Sequence, residues 1–284
     1  IEPGFIVEGL RDQLPQISRV LPQAVFDETQ PGSLRSTIQG MHRAASVVRD
    51  RISLDGWRIV NRVYQDFQPP RRRGDVTSSD VLAKTNQAII DLAALNGLAT
   101  ESMTRGQGWR FLDIGRRLER ALHTIMLLRD ALAIEDEAGA APLEATLEVA
   151  DSLITYRSRY LTSMQLAPVL DLLLVDETNP RSIAFQLMAL HDHVDNLPRD
   201  KNAPLRGREQ RLIMSSVHSV RMIDHDALRA ATTKDGRSHM DRLLGRLATQ
   251  LPALSDAIVH KYLIHAGPTQ QLTEIRASGG HLDL

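Results

Sequence analysis

The sequence predicts an all-α protein, and three observations carry that prediction. Apolar residues recur at alternating spacings of three and four over long stretches, the period of a helix with one buried face. Breakers rich in Pro and Gly interrupt those stretches at intervals. No segment shows the strict alternation of apolar and polar residues that a half-buried strand needs.

The firmest stretch covers 109–132, where Phe111, Ile114, Leu118, Ala121, Ile125, Leu128 and Leu132 form one stripe. At 1.5 Å per residue this is a rod of roughly 36 Å. Similar patterns cover 33–67, 79–106, 143–174, 182–197, 208–231 and 239–266. Between them lie Pro69-Pro70 with Arg71-Arg72-Arg73 and Gly74, expected as an exposed loop, then Ala138-Gly139, the run 198–207 and Lys234-Asp235-Gly236. The end of the chain, 267–284 with Gly279-Gly280, reads as an irregular tail.

A repeat runs through these elements. Val20-Leu21 and Asp27-Glu28-Thr29-Gln30-Pro31-Gly32-Ser33 return as Val169-Leu170 and Asp176-Glu177-Thr178-Asn179-Pro180-Arg181-Ser182, offset by 149 residues without a gap. Each copy ends one apolar helix and starts another, with a Thr or Asn cap expected before Pro at the first helical position. The expected architecture is a multi-helix bundle of two pseudo-repeated units, about 1–107 and 108–266. On this arithmetic the counterpart of the 109–132 helix lies ahead of Ile1, so the first unit is expected to be truncated and the chain to be a C-terminal fragment of a larger protein.

Composition narrows the function. The 284 residues carry Lys+Arg 34 against Asp+Glu 35, no Cys and 4% aromatics. The balance argues against a nucleic-acid or acidic-membrane binder. Zero Cys excludes disulfide scaffolds, thiolate metal sites and Cys nucleophiles. No apolar run is long enough to span a bilayer, and a cytoplasmic location is expected. Thirty of the 34 cations are Arg, a residue suited to carboxylates and phosphates, although coding bias explains the excess more simply. The ten His form no metal constellation: His191-Asp192-His193 diverges around a helix, and His42, His123 and His218 read as ordinary helix residues. No phosphate-binding loop or nucleophile elbow occurs.

The residues from Trp109 to Ala121 hold the best candidate site. Glu119 shares a face with Leu112, Gly115, Leu122 and Met126, which predicts a partly buried carboxylate needing a cation. Arg116 and Arg120 flank it and share a face with Trp109 and Asp113. Gly115 inside a helix suggests that another backbone approaches closely. A buried Glu–Arg clamp and a ligand-facing site both fit. Arg49 and Arg51 before Trp57, and Tyr156-Arg157 with Tyr160, are further candidates for stacking or for holding a carboxylate.

The wording Trp-x-Phe-Leu-x-Ile-Gly-Arg-x-Leu-Glu-Arg-Ala from Trp109 resembles the alpha-E family, helical bacterial domains with a Glu-Arg motif. Arg49-Asp50-Arg51-Ile52-Ser53 with Trp57 and Asn61, Tyr156-Arg157 with Tyr160, Asn179-Pro180-Arg181-Ser182 with Phe185-Gln186-Leu187, and Leu254-Ser255-Asp256 agree with it. Tyr262-Leu263-Ile264-His265 departs from the expected ending. The resemblance implies a domain beside, or fused behind, a circularly permuted ATP-grasp ligase, with transglutaminase-like peptidases in the same setting. ATP and Mg are then expected only in the ligase module, with no cofactor and no metal here.

Three functional readings follow. The first is an accessory, non-catalytic domain that docks on the ligase and helps hold a peptide or amino-acid substrate, with Arg116, Arg120, Arg157 and Arg181 offering cations and Glu119 orienting them or meeting a substrate amine. The second is an enzyme of amide transfer or hydrolysis with Glu119 as general base. The third is a structural oligomerisation bundle.

Overall fold

The computed structural model describes residues 17–27, 29–30, 32–68, 77–133, 140–160, 163–199 and 205–263. Arg71-Arg72-Arg73, Ala138-Gly139, Glu28, Pro31 and the tail 267–284 lie outside them. The described residues form α-helices and no strand, as the spacing predicts. In order they are α1 Ile17–Phe26, α2 Leu34–Val47, α3 Leu54–Asp66, α4 Ser78–Ser102, α5 Gln107–Ala133, α6 Ala141–Val149, α7 Leu153–Arg159, α8 Leu166–Leu170, α9 Ile183–Asp195, α10 Arg208–Arg221, α11 His225–Ala230 and α12 Lys234–Tyr262. The chain divides into two compact units, Ile1–Arg116 and Arg117–Leu284.

In the first unit, Val25, Ile38, Ile59, Val63, Phe67, Val81 and Ala88 form one core cluster from α1 to α4. The stretch 33–67 is two helices rather than one. A 3-10 turn, Arg49–Arg51, breaks it, and the Ser53 hydroxyl accepts from Gly56 N at 3.1 Å to start α3. Ser53 offers an N-terminal N–H a bond that helix continuation would not, which overrides the apolar periodicity. Thr77 and Asp80 close a reciprocal capping box on α4 (2.9 and 3.2 Å). On α4 the Asp91 carboxylate is buried and receives Arg62 Nε and Nη2 of α3 at 2.9 and 2.6 Å.

In the second unit the long α12 buries Met240, Leu243, Leu244, Leu247, Leu251, Leu254 and Ile258, one continuous stripe. Helices α9 and α12 both pack on α10. The stretch 143–174 is again divided, into α6, α7 and α8 followed by a π-helical turn, Asp171–Val175. The break after α6 turns at Asp151, whose φ of 50° is the left-handed conformation that ends a helix. The stretch 208–231 is α10 and α11, parted where Asp224 caps α11 through Ala227 N at 2.8 Å. Lys234-Asp235-Gly236 is not a breaker but the first turn of α12, capped by Thr233, whose hydroxyl accepts from Gly236 N at 3.2 Å. Gly236 is there for space, since a Cβ would stand 1.9 Å from Ala230 O.

Candidate functional site

Helix α5 buries the stripe its sequence spells: Ile114, Leu118, Ala121, Ile125, Leu128 and Leu132 are all nearly inaccessible. Thr124, on the same face, donates to Arg120 O at 3.0 Å and to Arg181 O at 3.3 Å. This draws α5 against the Asp176–Ser182 loop, the second copy of the repeated heptapeptide.

That loop is tied from many sides. Asp176 Oδ1 accepts from Thr178 N and Oγ1 at 2.8 and 2.7 Å, and its other oxygen pairs with Arg159 of α7. Burial would lift the Asp176 pKa, but the Thr178 bonds and Arg159 hold it below the usual carboxylate range. Glu177 takes Arg221 Nε and Nη2 of α10 at 2.6 and 3.0 Å, and this pairing lowers its pKa. Asn179 Nδ2 donates to Leu172 O in the π-helical turn at 2.9 Å. Arg181 pairs with Asp151 at 2.5 Å. Gln186, fully buried on α9, donates to Pro180 O at 2.5 Å and accepts from Arg117 Nη1 at 3.2 Å. The Arg117 guanidinium lies 5.3 Å from the centre of the Phe185 ring.

The helix-start chemistry differs from the sequence reading. The caps are Ser33, accepting from Ser36 N at 3.1 Å, and Ser182, accepting from Phe185 N at 3.0 Å. Pro180 stays in the turn because Asn179 is occupied in closing the loop, where it also accepts from Arg181 N at 3.0 Å. The first copy repeats the loop bonds: Asp27 Oδ1 accepts from Thr29 N and Oγ1 at 2.9 and 2.6 Å.

Of the two readings left open for Glu119, the Glu–Arg clamp is not formed among the described residues. Glu119 is half-buried, with no hydrogen bond or ion pair among the described residues. Its neighbour Leu112 is 51% exposed, and among the described residues nothing lies within 4 Å of a Cβ built on Gly115, so none of them brings its backbone close there. The apolar surround that would suit Glu119 to general-base work is therefore missing at the N-terminal side of its face. The buried acid of α5 is Asp113, 2% exposed and paired with Arg116 one turn on. Arg116 thus serves Asp113 rather than Glu119, although each acid lies three residues from it on the helix.

The other candidates are spread out. Trp109 stacks under Arg105, 4.5 Å away. Arg120 presents its backbone carbonyl to Thr124. Arg157 pairs with Glu144 on an exposed surface. Tyr156 is a core residue whose hydroxyl donates to Ser163 O and accepts from Gln165 N, at 3.3 and 3.1 Å. Its ring meets Tyr160 at 5.1 Å, the expected pair, and the carboxylate that this pair holds is Asp171, bonded by the Tyr160 hydroxyl. Burial and Asp171 push the Tyr160 pKa up to about 12. Arg49 caps Ile52 O at 3.1 Å and lies over Trp57, while Arg51 meets Asp50 only at 4.0 Å in the open. Arg117 and Asp151 were missed, and Gln186 entered only through the family resemblance, with no role assigned to it. Gln186 had a signal, a lone polar residue at a core position of α9.

Among the described residues no group of three or more His, Asp or Glu side chains is placed to hold a metal ion, and no helix is long and apolar enough to cross a membrane.

Residues 6–263 match the model of a family called Alpha-E, described as a predicted alpha-helical domain with a conserved ER motif. The "Uncharacterized protein Rv2567" of Mycobacterium tuberculosis (strain H37Rv) is 30% identical over 269 residues, which are 92% of this chain and 30% of that protein. The "Uncharacterized protein Mb2597" of Mycobacterium bovis is similar to the same extent. The chain thus spans about 30% of the length of the curated relatives it matches. No solved structure matches it.

Proposed function

The chain belongs to the Alpha-E family, and from that premise we propose that it is an accessory, non-catalytic helical domain of an ATP-dependent amide-ligase system. It docks on a circularly permuted ATP-grasp module and helps hold that enzyme's peptide or amino-acid substrate, in a cytoplasmic setting shared with transglutaminase-like peptidases. The ligase context comes from the resemblance, and the share of the relatives that the chain matches agrees with a module working beside others.

One observation carries the accessory role: four guanidiniums around α5 and its loop are bonded to this chain's own acids. Arg116 holds Asp113, Arg159 holds Asp176, Arg181 holds Asp151 and Arg221 holds Glu177. Such pairs fix a surface instead of priming a reaction, and they leave Glu119 as a half-buried acid with no polar partner among the described residues. A carboxylate in that state is available to a partner's cation or a substrate amine.

The test is retention of the ligase module by this domain, together with ligation, for wild type and Glu119→Ala. A loss of about tenfold in either, with stability within about 0.5 kcal/mol, is the expected result. Unaltered assembly and ligation would overturn the role given to Glu119. Peptide turnover by the domain alone, abolished in Glu119→Gln, would replace the accessory reading with an enzymatic one.

A further inference from the structure

Helix α4 has a second long face that is left open. Val81, Ala88 and Asp91 are buried on the side that packs against α1 and α3. On the opposite side Leu82, Asn86, Ile89, Ile90, Ala93 and Gly97 line one stripe at helical spacing, and all of them are exposed. Leu82, Ile89 and Ile90 are 61, 66 and 62% exposed. Between Asp80 and Glu101 no exposed residue of α4 is charged. The two charges in that interval, Lys84 and Asp91, turn to α3 instead, where they meet Asp66 O and Arg62. Single exposed apolar residues need no explanation, whereas a continuous uncharged face marks a contact surface.

The residues of this face are arranged by size. About the midpoint between Ile89 and Ile90, Leu82 lies as far to one side as Gly97 lies to the other, and Asn86 mirrors Ala93 in the same way. A large residue thus faces a small one at each step outward, with the two isoleucines at the centre. Among the described residues nothing lies within 4 Å of a Cβ built on Gly97, so the space above it is open.

We propose that a second copy of the chain docks on this face, α4 against α4, antiparallel about a two-fold axis at Ile89 and Ile90. Such an axis lets one self-complementary patch serve both sides. Leu82 of each copy enters the space over Gly97 of the other, Asn86 covers Ala93, and Ile89 meets Ile90. Charge selects the same orientation. Glu101, exposed near the C-terminus of α4, comes to the first turn of the other copy's α4, where the helix dipole favours an anion. In a parallel pair Glu101 would face Glu101, and Gly97 would face Gly97 with nothing to fill the gap.

The area is sufficient. From Ser79 to Thr100 the face is about 32 Å long, and half the girth of a rod about 10 Å across gives roughly 500 Å² per copy, about 1,000 Å² in all. That total reaches the lower bound of a specific interface and suits a weak dimer. The pairing does not depend on the ligase reading.

The test is sedimentation velocity of the full chain from about 1 to about 100 μM, where a monomer–dimer equilibrium in the micromolar range is expected. Ile90→Glu is expected to abolish it. Gly97→Leu, which the open space tolerates within one copy, is expected to weaken it about tenfold and to leave the melting temperature unchanged or raised, so that lost pairing is not lost folding. Ile154→Glu, at an exposed apolar residue of α7, is expected to leave the dimer intact. The chain has no Cys, so introduced thiols report the orientation. Ile90→Cys is expected to cross-link on mild oxidation, whereas Leu82→Cys, about 22 Å from its counterpart along the antiparallel pair, is not. A chain that stays monomeric at about 100 μM, a dimer indifferent to Ile90→Glu and Gly97→Leu, or cross-linking through Leu82→Cys would overturn the proposal. So would a monomer whose retention by the ligase is lost in Ile90→Glu, which would give the face to that partner.

Discussion

At Asp113 and Glu119, six residues apart on one helix, the same functional group has two different fates. Asp113 is buried against Arg116, and removing its charge leaves that guanidinium without its partner. Asp113→Asn is therefore expected to cost about 1–3 kcal/mol in denaturant unfolding, while Glu119→Ala stays within about 0.5 kcal/mol. The Glu-Arg wording drew attention to the wrong acid for stability, since spacing tells which residues share a face but not which face meets the core. Titration adds a second expectation. Asp91, held low by Arg62 and Gln87 against the opposing effect of burial, and Glu177, held low by Arg221, stabilise the fold above their unfolded pKa values. That contribution is lost as pH falls below about 4, so melting temperature should drop there. Tyr160 has the opposite sign. Its neutral form is favoured in the fold, so its contribution is complete below pH 10 and fades from there to about 12. Tyr160→Phe should flatten that alkaline limb of a melting-versus-pH curve.

Two glycines separate what helices reveal in sequence from what they hide. Gly115 sits in open space in mid-helix, so Gly115→Ala is expected to stabilise by about 1 kcal/mol through the reduced freedom of the unfolded chain. Gly236 sits where a Cβ would overlap Ala230, so Gly236→Ala is expected to destabilise by about 1–3 kcal/mol in the same unfolding measurement. Both look alike in the sequence. The reading assigned the close approach to Gly115 and the role of breaker to Gly236, and the packing reverses the two. Helical class and the α5 stripe were legible because burial repeats along a helix. The divisions at Ser53, Asp151 and Asp224 were not, because each depends on one side-chain bond or one dihedral angle that leaves the apolar period untouched. The candidate site was legible only in its addresses, α5 and the repeated loop. Its actual connections, Arg117 to Gln186 and Arg181 to Asp151, join residues 69 and 30 positions apart.

The two compact units bring different cores to the molecule, one gathered around Phe67 and Val63 and the other along α12. Asp91→Asn, which weakens the tie between α3 and α4, is expected to speed amide hydrogen exchange in α2 to α4 and leave α9, α10 and α12 unchanged. In the second unit the π-helical turn Asp171–Val175 closes with Asp176 N on Asp171 O at 3.1 Å, five residues back instead of four. One residue more than an α-turn is accommodated there, and everything downstream is clocked by it. Excising a single leucine from this turn would restore ordinary winding and swing the next residues by about 100°. Asp176 would lose Arg159, and Asn179 would lose the Leu172 carbonyl. At this point the chain is held to a tally of residues as strictly as to their identity, and even a chemically silent deletion would unlatch the loop from α7 and from the turn before it.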